Sequence, residues 1–168
     1  MAVLPFLKAF NTLLTGNATD AGDEPGVLRF ELDAVTSGLK VYRYVQLHAD
    51  SAALANGTPV GFQDVYHRVV TTDFQAGVSD RNLPAGVGIG TLSVSKYGWI
   101  QCGGYHATVK TNGDDDIARG DNVILAGTDA VVDSVASGTA STYKPLGRCV
   151  TADINADNTV AVQLDCVF

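Results

Sequence analysis

Three histidines (His48, His67, His106) and three cysteines (Cys102, Cys149, Cys166) are the side chains best suited to ligating a metal or attacking a substrate. Zinc sites are built from close pairs, because Cys-x-x-Cys or His-x-His spacing sets two ligands on one turn or strand face. No such pair occurs, so no metal site and no cofactor is expected. The cysteines are odd in number and far apart, which argues against a disulfide framework and for buried, reduced thiols in a reducing, aqueous compartment. No cysteine is flanked by cations that would lower its pKa, and Ser93 and Ser95 lie outside any Gly-x-Ser-x-Gly elbow. The expectation is a protein that is not an enzyme.

The acidic and glycine-rich segments fare no better as sites. Asp114-Asp115-Asp116 is read as a solvated loop, since three consecutive carboxylates on a turn cannot all face one ion. Asp153-Ile154-Asn155-Ala156-Asp157-Asn158 matches the opening of a calcium loop, but Asn158 stands where the turn needs Gly and Leu164 where a bidentate Glu is needed. It is read as a polar hairpin turn. Gly86-Val87-Gly88-Ile89-Gly90 is mis-spaced for a dinucleotide fingerprint and no helical pattern follows, so close backbone packing or a turn is expected there. Arg119-Gly120-Asp121, Asn17-Ala18-Thr19 and Asn56-Gly57-Thr58 spell adhesion and glycosylation triplets and are read as turns.

Composition sets the frame for these residues. A chain of 168 residues carrying 11 Lys plus Arg and 18 Asp plus Glu has a net charge of −7, which disfavours nucleic acid and anionic lipid as partners. Hydrophobic residues make up 46% and charged residues 17%, a balance that supports one packed core and not a disordered chain. No run approaches the roughly 18 apolar residues that span a bilayer, and Ala2–Leu14, with Lys8 in its middle, is read as neither signal peptide nor membrane anchor.

The elements that would position any site have a period of two. Val3–Leu14 suits a short amphipathic helix with Leu4, Leu7 and Phe10 on one side, Pro5 being tolerated only in a first turn. Thr15–Gly26 lacks periodicity and reads as an exposed linker or mobile arm, so residues 1–26 are assigned to an arm and linker and 27–168 to a single β-rich domain. Leu28, Phe30 and Leu32 alternate with Arg29, Glu31 and Asp33, which predicts a half-buried strand with the apolar set inward. Val41, Val45 and Leu47 alternate with Tyr42, Tyr44 and His48. Further strands are predicted at His67–Thr72, Ile89–Val94, Tyr97–Cys102, Tyr105–Thr111, Asn122–Ala126, Ala130–Ser134, Leu146–Thr151 and Thr159–Phe168. Asn56-Gly57, Gly103-Gly104, Asn112-Gly113, Gly120-Asp121-Asn122 and Ala126-Gly127-Thr128-Asp129 supply turns between them. The fold class expected is all-β: a small antiparallel β-barrel or β-sandwich with an extended or short-helical N-terminal arm.

Ala85-Gly86-Val87-Gly88-Ile89-Gly90-Thr91, followed by Tyr97-Gly98-Trp99-Ile100-Gln101-Cys102-Gly103-Gly104, resembles a segment of the capsid cement (head-decoration) proteins of tailed bacteriophages. The flanking order agrees: Ala53–Val60 before it, then Ile117–Asp121, Leu146-Gly147 and the closing strand Thr159–Leu164, so that the likeness covers about Lys40–Phe168. The resemblance implies a homotrimer made in the host cytoplasm and carried on the outer capsid surface of the virion, where it bridges major capsid protein subunits without enzymatic activity. On that reading Leu4, Phe6, Leu7 and Phe10 form a docking arm, and Tyr97 and Trp99, alternating on one strand face, an aromatic anchor. Packing of the arm or of the two aromatics on the chain's own body is the competing expectation. Two other functions fit the composition: a tail-tube or fibre-associated phage β-protein, and a carbohydrate- or small-ligand-binding β-sandwich, with an enzyme whose cryptic site uses His106 and Asp114–Asp116 as its catalytic variant.

Overall fold

A computed structural model describes residues 10, 12–34, 38–74, 83–113, 117–126, 130–136, 138–139, 143–151 and 158–166. Ten strands form one sheet: β1 (Leu28–Leu32), β2 (Leu39–Leu47), β3 (Pro59–Phe62), β4 (Val69–Thr71), β5 (Pro84–Gly88), β6 (Tyr97–Lys110), β7 (Asn122–Leu125), β8 (Val132–Val135), β9 (Gly147–Thr151) and β10 (Thr159–Asp165). The protein is all-β, with no helix among the described residues.

The strand order is β1-β2-β4-β3-β5-β6-β10-β9-β7-β8, and an additional β2–β6 pairing closes β2, β4, β3, β5 and β6 into a ring. Every pairing is antiparallel except β2–β4, so the ring departs from the purely antiparallel barrel expected. Its interior holds Val45, Leu47, Leu54, Val60, Phe62, Val70, Leu92 and Ile100. The remaining strands pack a second cluster around Cys102, Val109, Val123, Val132, Leu146, Val162 and Leu164. A bridge between Thr111 and Val132 returns β8 to the end of β6. Burial of each large apolar side chain in these clusters contributes roughly 1.5–3 kcal/mol.

One long strand serves both clusters. The sequence predicts two strands broken by a Gly103-Gly104 turn, but β6 runs through the pair unbroken. Gly103 and Gly104 mark the point at which β6 exchanges partners: Val41 pairs with Gly103 with a register shift beside it, and Gly104 pairs with Leu164 of β10. Gly104 has φ +86°, and a Cβ there would collide with the backbone of Leu39. A residue type that signals a hairpin turn here signals a bulge and a close crossing.

Two other expectations change. The strand expected at Ile89–Val94 lies earlier, at Pro84–Gly88, where Gly86 (φ +147°) allows β5 to approach Gln101 and Cys102 of β6; Leu92 makes only an isolated bridge to Leu54. This is the close backbone packing expected of that glycine run. β3 goes unpredicted because Pro-Val-Gly-Phe is too short and too punctuated to show a period.

Candidate interaction surface

The sequence-predicted anchor on β6 is covered by its own chain. Trp99 is 3% exposed and packs at 5.1 Å from Tyr44 and edge-to-face at 5.2 Å from Phe10, while Tyr97 stacks on Tyr44. The Trp99 Nε1–H donates to Thr12 Oγ1 (2.8 Å), and the Thr12 hydroxyl donates to the Asp23 carboxylate (2.5 Å). Arg29 lies over both Phe10 and Trp99 and donates to the Thr12 carbonyl. Phe10, Tyr97 and Trp99 therefore pack together in the way the competing expectation described. Leu4, Phe6 and Leu7 lie outside the described residues.

Thr15–Gly26 is irregular, as read from sequence, but it lies along the body instead of swinging free of it. Ala18 and Tyr97 exchange backbone hydrogen bonds at 2.9 Å, and Gly26 N–H donates to the Tyr44 carbonyl at 2.7 Å. Asn17, read as part of a turn, donates to Ser93 Oγ and accepts from the Ser93 amide. The physical reason is that β2 and β6 present Tyr42, Tyr44 and Trp99 on the face away from the ring, where Phe10, Leu14, Val27, Ile89 and Tyr97 pack against them and Gly22 N–H donates to the Tyr44 hydroxyl. Polar composition masked the role, because the segment binds through backbone groups and the polar side chains of Asn17 and Thr19.

The chemistry-bearing side chains are dispersed. His48 Nδ1 accepts from the Asp50 amide and lies 3.7 Å from the Asp50 carboxylate. His67 stacks on Phe62 at 4.2 Å, and partial burial holds its pKa below the ordinary value. His106 is buried; its Nδ1 accepts from the Thr108 amide, and desolvation, helped by the Lys40 charge, lowers its pKa to about 4. No group of three His, Cys, Asp or Glu side chains able to hold a metal occurs among the described residues. Asp114–Asp116 and Asp153–Asp157 lie outside them. Arg119-Gly120 forms a turn closed by Asp121 N–H donating to the Ala118 carbonyl.

None of the three cysteines is in a disulfide, and all are buried. Their thiols donate to the carbonyls of Val41, Thr151 and Leu146 respectively. Burial raises the Cys102 pKa to about 11 despite the Arg43 guanidinium beside it, and raises that of Cys166 further. Neither thiol is an activated nucleophile.

Several large apolar side chains remain outside the body. On β1 the alternation predicted from sequence is present, but Phe30 and Leu32 are 57% and 78% exposed instead of inward. β1 pairs with β2 outside the closed ring, so its apolar face has only Leu28 packed on a core cluster. Leu32 faces Leu39, 52% exposed, across the hairpin, and Phe30 faces Val41. A second exposed group, Val65 and Tyr66, occupies the β3–β4 connection. Sequence reasoning missed both surfaces because alternation reports which residues share a face and not whether anything covers it. No protein-family model matches the chain, and no curated protein matches it.

No helix of the described residues is long and apolar enough to cross a membrane.

Proposed function

We propose that the protein is a capsid cement protein of a tailed bacteriophage: a homotrimer on the outer head surface that binds and stabilises the major capsid protein lattice. The observation that carries this reading is a closed, hydrogen-bonded body that keeps large apolar side chains outside it, Val65 and Tyr66 on one connection and Phe30, Leu32 and Leu39 on one hairpin. Apolar groups held out on a stiff scaffold gain free energy when a partner covers them, and a capsid lattice would do so. The resemblance supports the same reading, because its two motif segments fall largely on β5 and β6, adjacent strands of the ring. Multiple copies on one lattice would convert modest footprints into firm attachment through avidity.

The test is incubation of the purified protein with undecorated heads of the phage whose genome encodes it, followed by co-sedimentation and image reconstruction. Saturable binding with lattice-periodic density on the outer surface is expected. A chain shortened by residues 1–9 should stay folded, since Phe10 and Thr12 still cover Trp99, and should bind more weakly if Leu4, Phe6 and Leu7 form a docking arm. Tyr66→Ser should weaken binding through the other exposed group. Absence of the protein from the head surface at saturating concentration would overturn the reading.

A further inference from the structure

The β1 strand carries a self-complementary sequence on an open edge. Among the described residues its only strand partner is β2. Asp33 N–H bonds to the Gly38 carbonyl and Tyr44 N–H to the Val27 carbonyl, so the odd-numbered residues of this strand point their backbone groups at β2. By alternation, the N–H and C=O groups of Leu28, Phe30 and Leu32 point to the open edge.

Leu28-Arg29-Phe30-Glu31-Leu32 reads with the same chemical character in both directions. Were two copies to pair antiparallel about a two-fold axis at Phe30, Phe30 would meet Phe30, Leu28 would meet Leu32, and Arg29 would meet Glu31, each twice. In that register the residues with outward backbone groups are the ones that exchange hydrogen bonds. Arg29 and Glu31 fall at the non-hydrogen-bonded positions, where side chains approach most closely. Shifting the axis by one residue sets Glu31 against Glu31 or Arg29 against Arg29, so charge selects a single register. Arg29 already pairs with Glu31 within one chain, and a second copy would extend this into an alternating cluster of four charges. On the opposite face Leu39 and Leu32 would continue into Leu28 of the second copy as one apolar strip.

We infer that β1 is an interface between two copies of this chain, formed by antiparallel edge pairing of Leu28–Leu32 about a two-fold axis at Phe30. A two-fold contact joins copies in pairs, as free dimers or as links between larger assemblies, and it is independent of which shell the protein binds.

Charge exchange tests it. In analytical ultracentrifugation at low salt, Glu31→Arg and Arg29→Glu should each self-associate at least ~10-fold more weakly than the parent chain. An equimolar mixture of the two variants should recover association, because the two positive charges on the β1 strand of one variant then face the two negative charges on that of the other. Unchanged Trp99 emission checks that each variant is folded, which matters for Arg29 because it covers that ring. Phe30→Cys provides a second readout whatever the total oligomer: mild oxidation should link it into covalent dimers faster than Leu32→Cys, whose opposite residue is Leu28. A chain that stays monomeric at high concentration, association indifferent to both charge reversals, or equal cross-linking of the two cysteine variants would each overturn the pairing. Dimers formed without any shell would sustain it even if head binding failed.

Discussion

Replacing Gly104 by alanine should be among the costliest single-methyl additions in this protein, and Gly120 provides its control. Both glycines have positive φ, +86° and +95°. A Cβ at Gly120 meets nothing within 4 Å, so Gly120→Ala carries only the backbone penalty of about 1–2 kcal/mol. At Gly104 the same Cβ would sit 3.2 Å from both the Leu39 carbonyl carbon and Lys40 Cα, and closer still to the Leu39 oxygen. That obstacle is backbone, held by the β1–β2 hairpin, and cannot rotate away. Relieving an overlap on the order of 1 Å would separate β2 from β6 where they cross and would loosen one or two ladder hydrogen bonds at about 1 kcal/mol each. The expected loss is therefore roughly 2–4 kcal/mol for Gly104→Ala, about 1–2 kcal/mol beyond Gly120→Ala. Urea unfolding at fixed protein concentration, followed by the emission of Trp99, the sole tryptophan, measures both. Equal losses for the two variants would refute the claim that β6 bends through its glycine pair to serve both clusters.

His106 should make stability pH-dependent. Its folded pKa of about 4 lies below the ordinary 6.5, so the native state favours neutral imidazole and stability falls as pH drops from about 6.5 to about 4. The full difference is worth roughly 3 kcal/mol. Subtracting the profile of His106→Gln removes the contribution of the carboxylates, and an NMR titration placing His106 near 6.5 would refute the assignment. The buried thiols should be silent in the native state: at about pH 8 an aromatic disulfide reagent should react with Cys102 and Cys166 only at the rate of unfolding. Rapid labelling of Cys166 without denaturant would show that its contacts with Leu146 and Cys102 do not persist.

The sequence made most strands legible because a period of two survives wherever one face of a strand is apolar. β2, β7, β8, β9 and β10 lie where alternation and turn residues predict them, within a few residues. Closure was not legible. It depends on β2 accepting β6, more than 50 residues later, and on Gly104 allowing backbones to cross where the sequence reads a turn; at Gly86 close packing was expected, but not the strand it packs against. β2 also shows why burial is harder to read than strand position. Tyr42 and Tyr44 look like an outer face, yet they are 7% and 1% exposed, because they cluster with Trp99 beneath Phe10, Leu14, Val27, Ile89 and Tyr97, and the irregular segment reaches Tyr44 through Gly22. Nothing in the composition of Thr12–Gly26 announces that role, since its attachment uses backbone groups, the hydroxyls of Thr12 and Thr19 and the side chain of Asn17.

The candidate site was readable only in part, and β1 shows the reason. An alternating strand ordinarily implies that its own chain covers the apolar face. Here the ring closes between β2 and β6, which leaves β1 outside with Phe30 and Leu32 in solvent and its outer backbone groups without a strand partner among the described residues. An edge of that kind invites indiscriminate pairing, and proteins blunt such edges with charge, proline or a bulge. β1 carries no proline, and its two charges are opposite and symmetrically placed about Phe30. That arrangement repels an off-register partner and attracts one in a single register. Pairing is therefore filtered, not prevented, and a complementary strand in that register would extend the apolar strip of Phe30, Leu32 and Leu39 into its own.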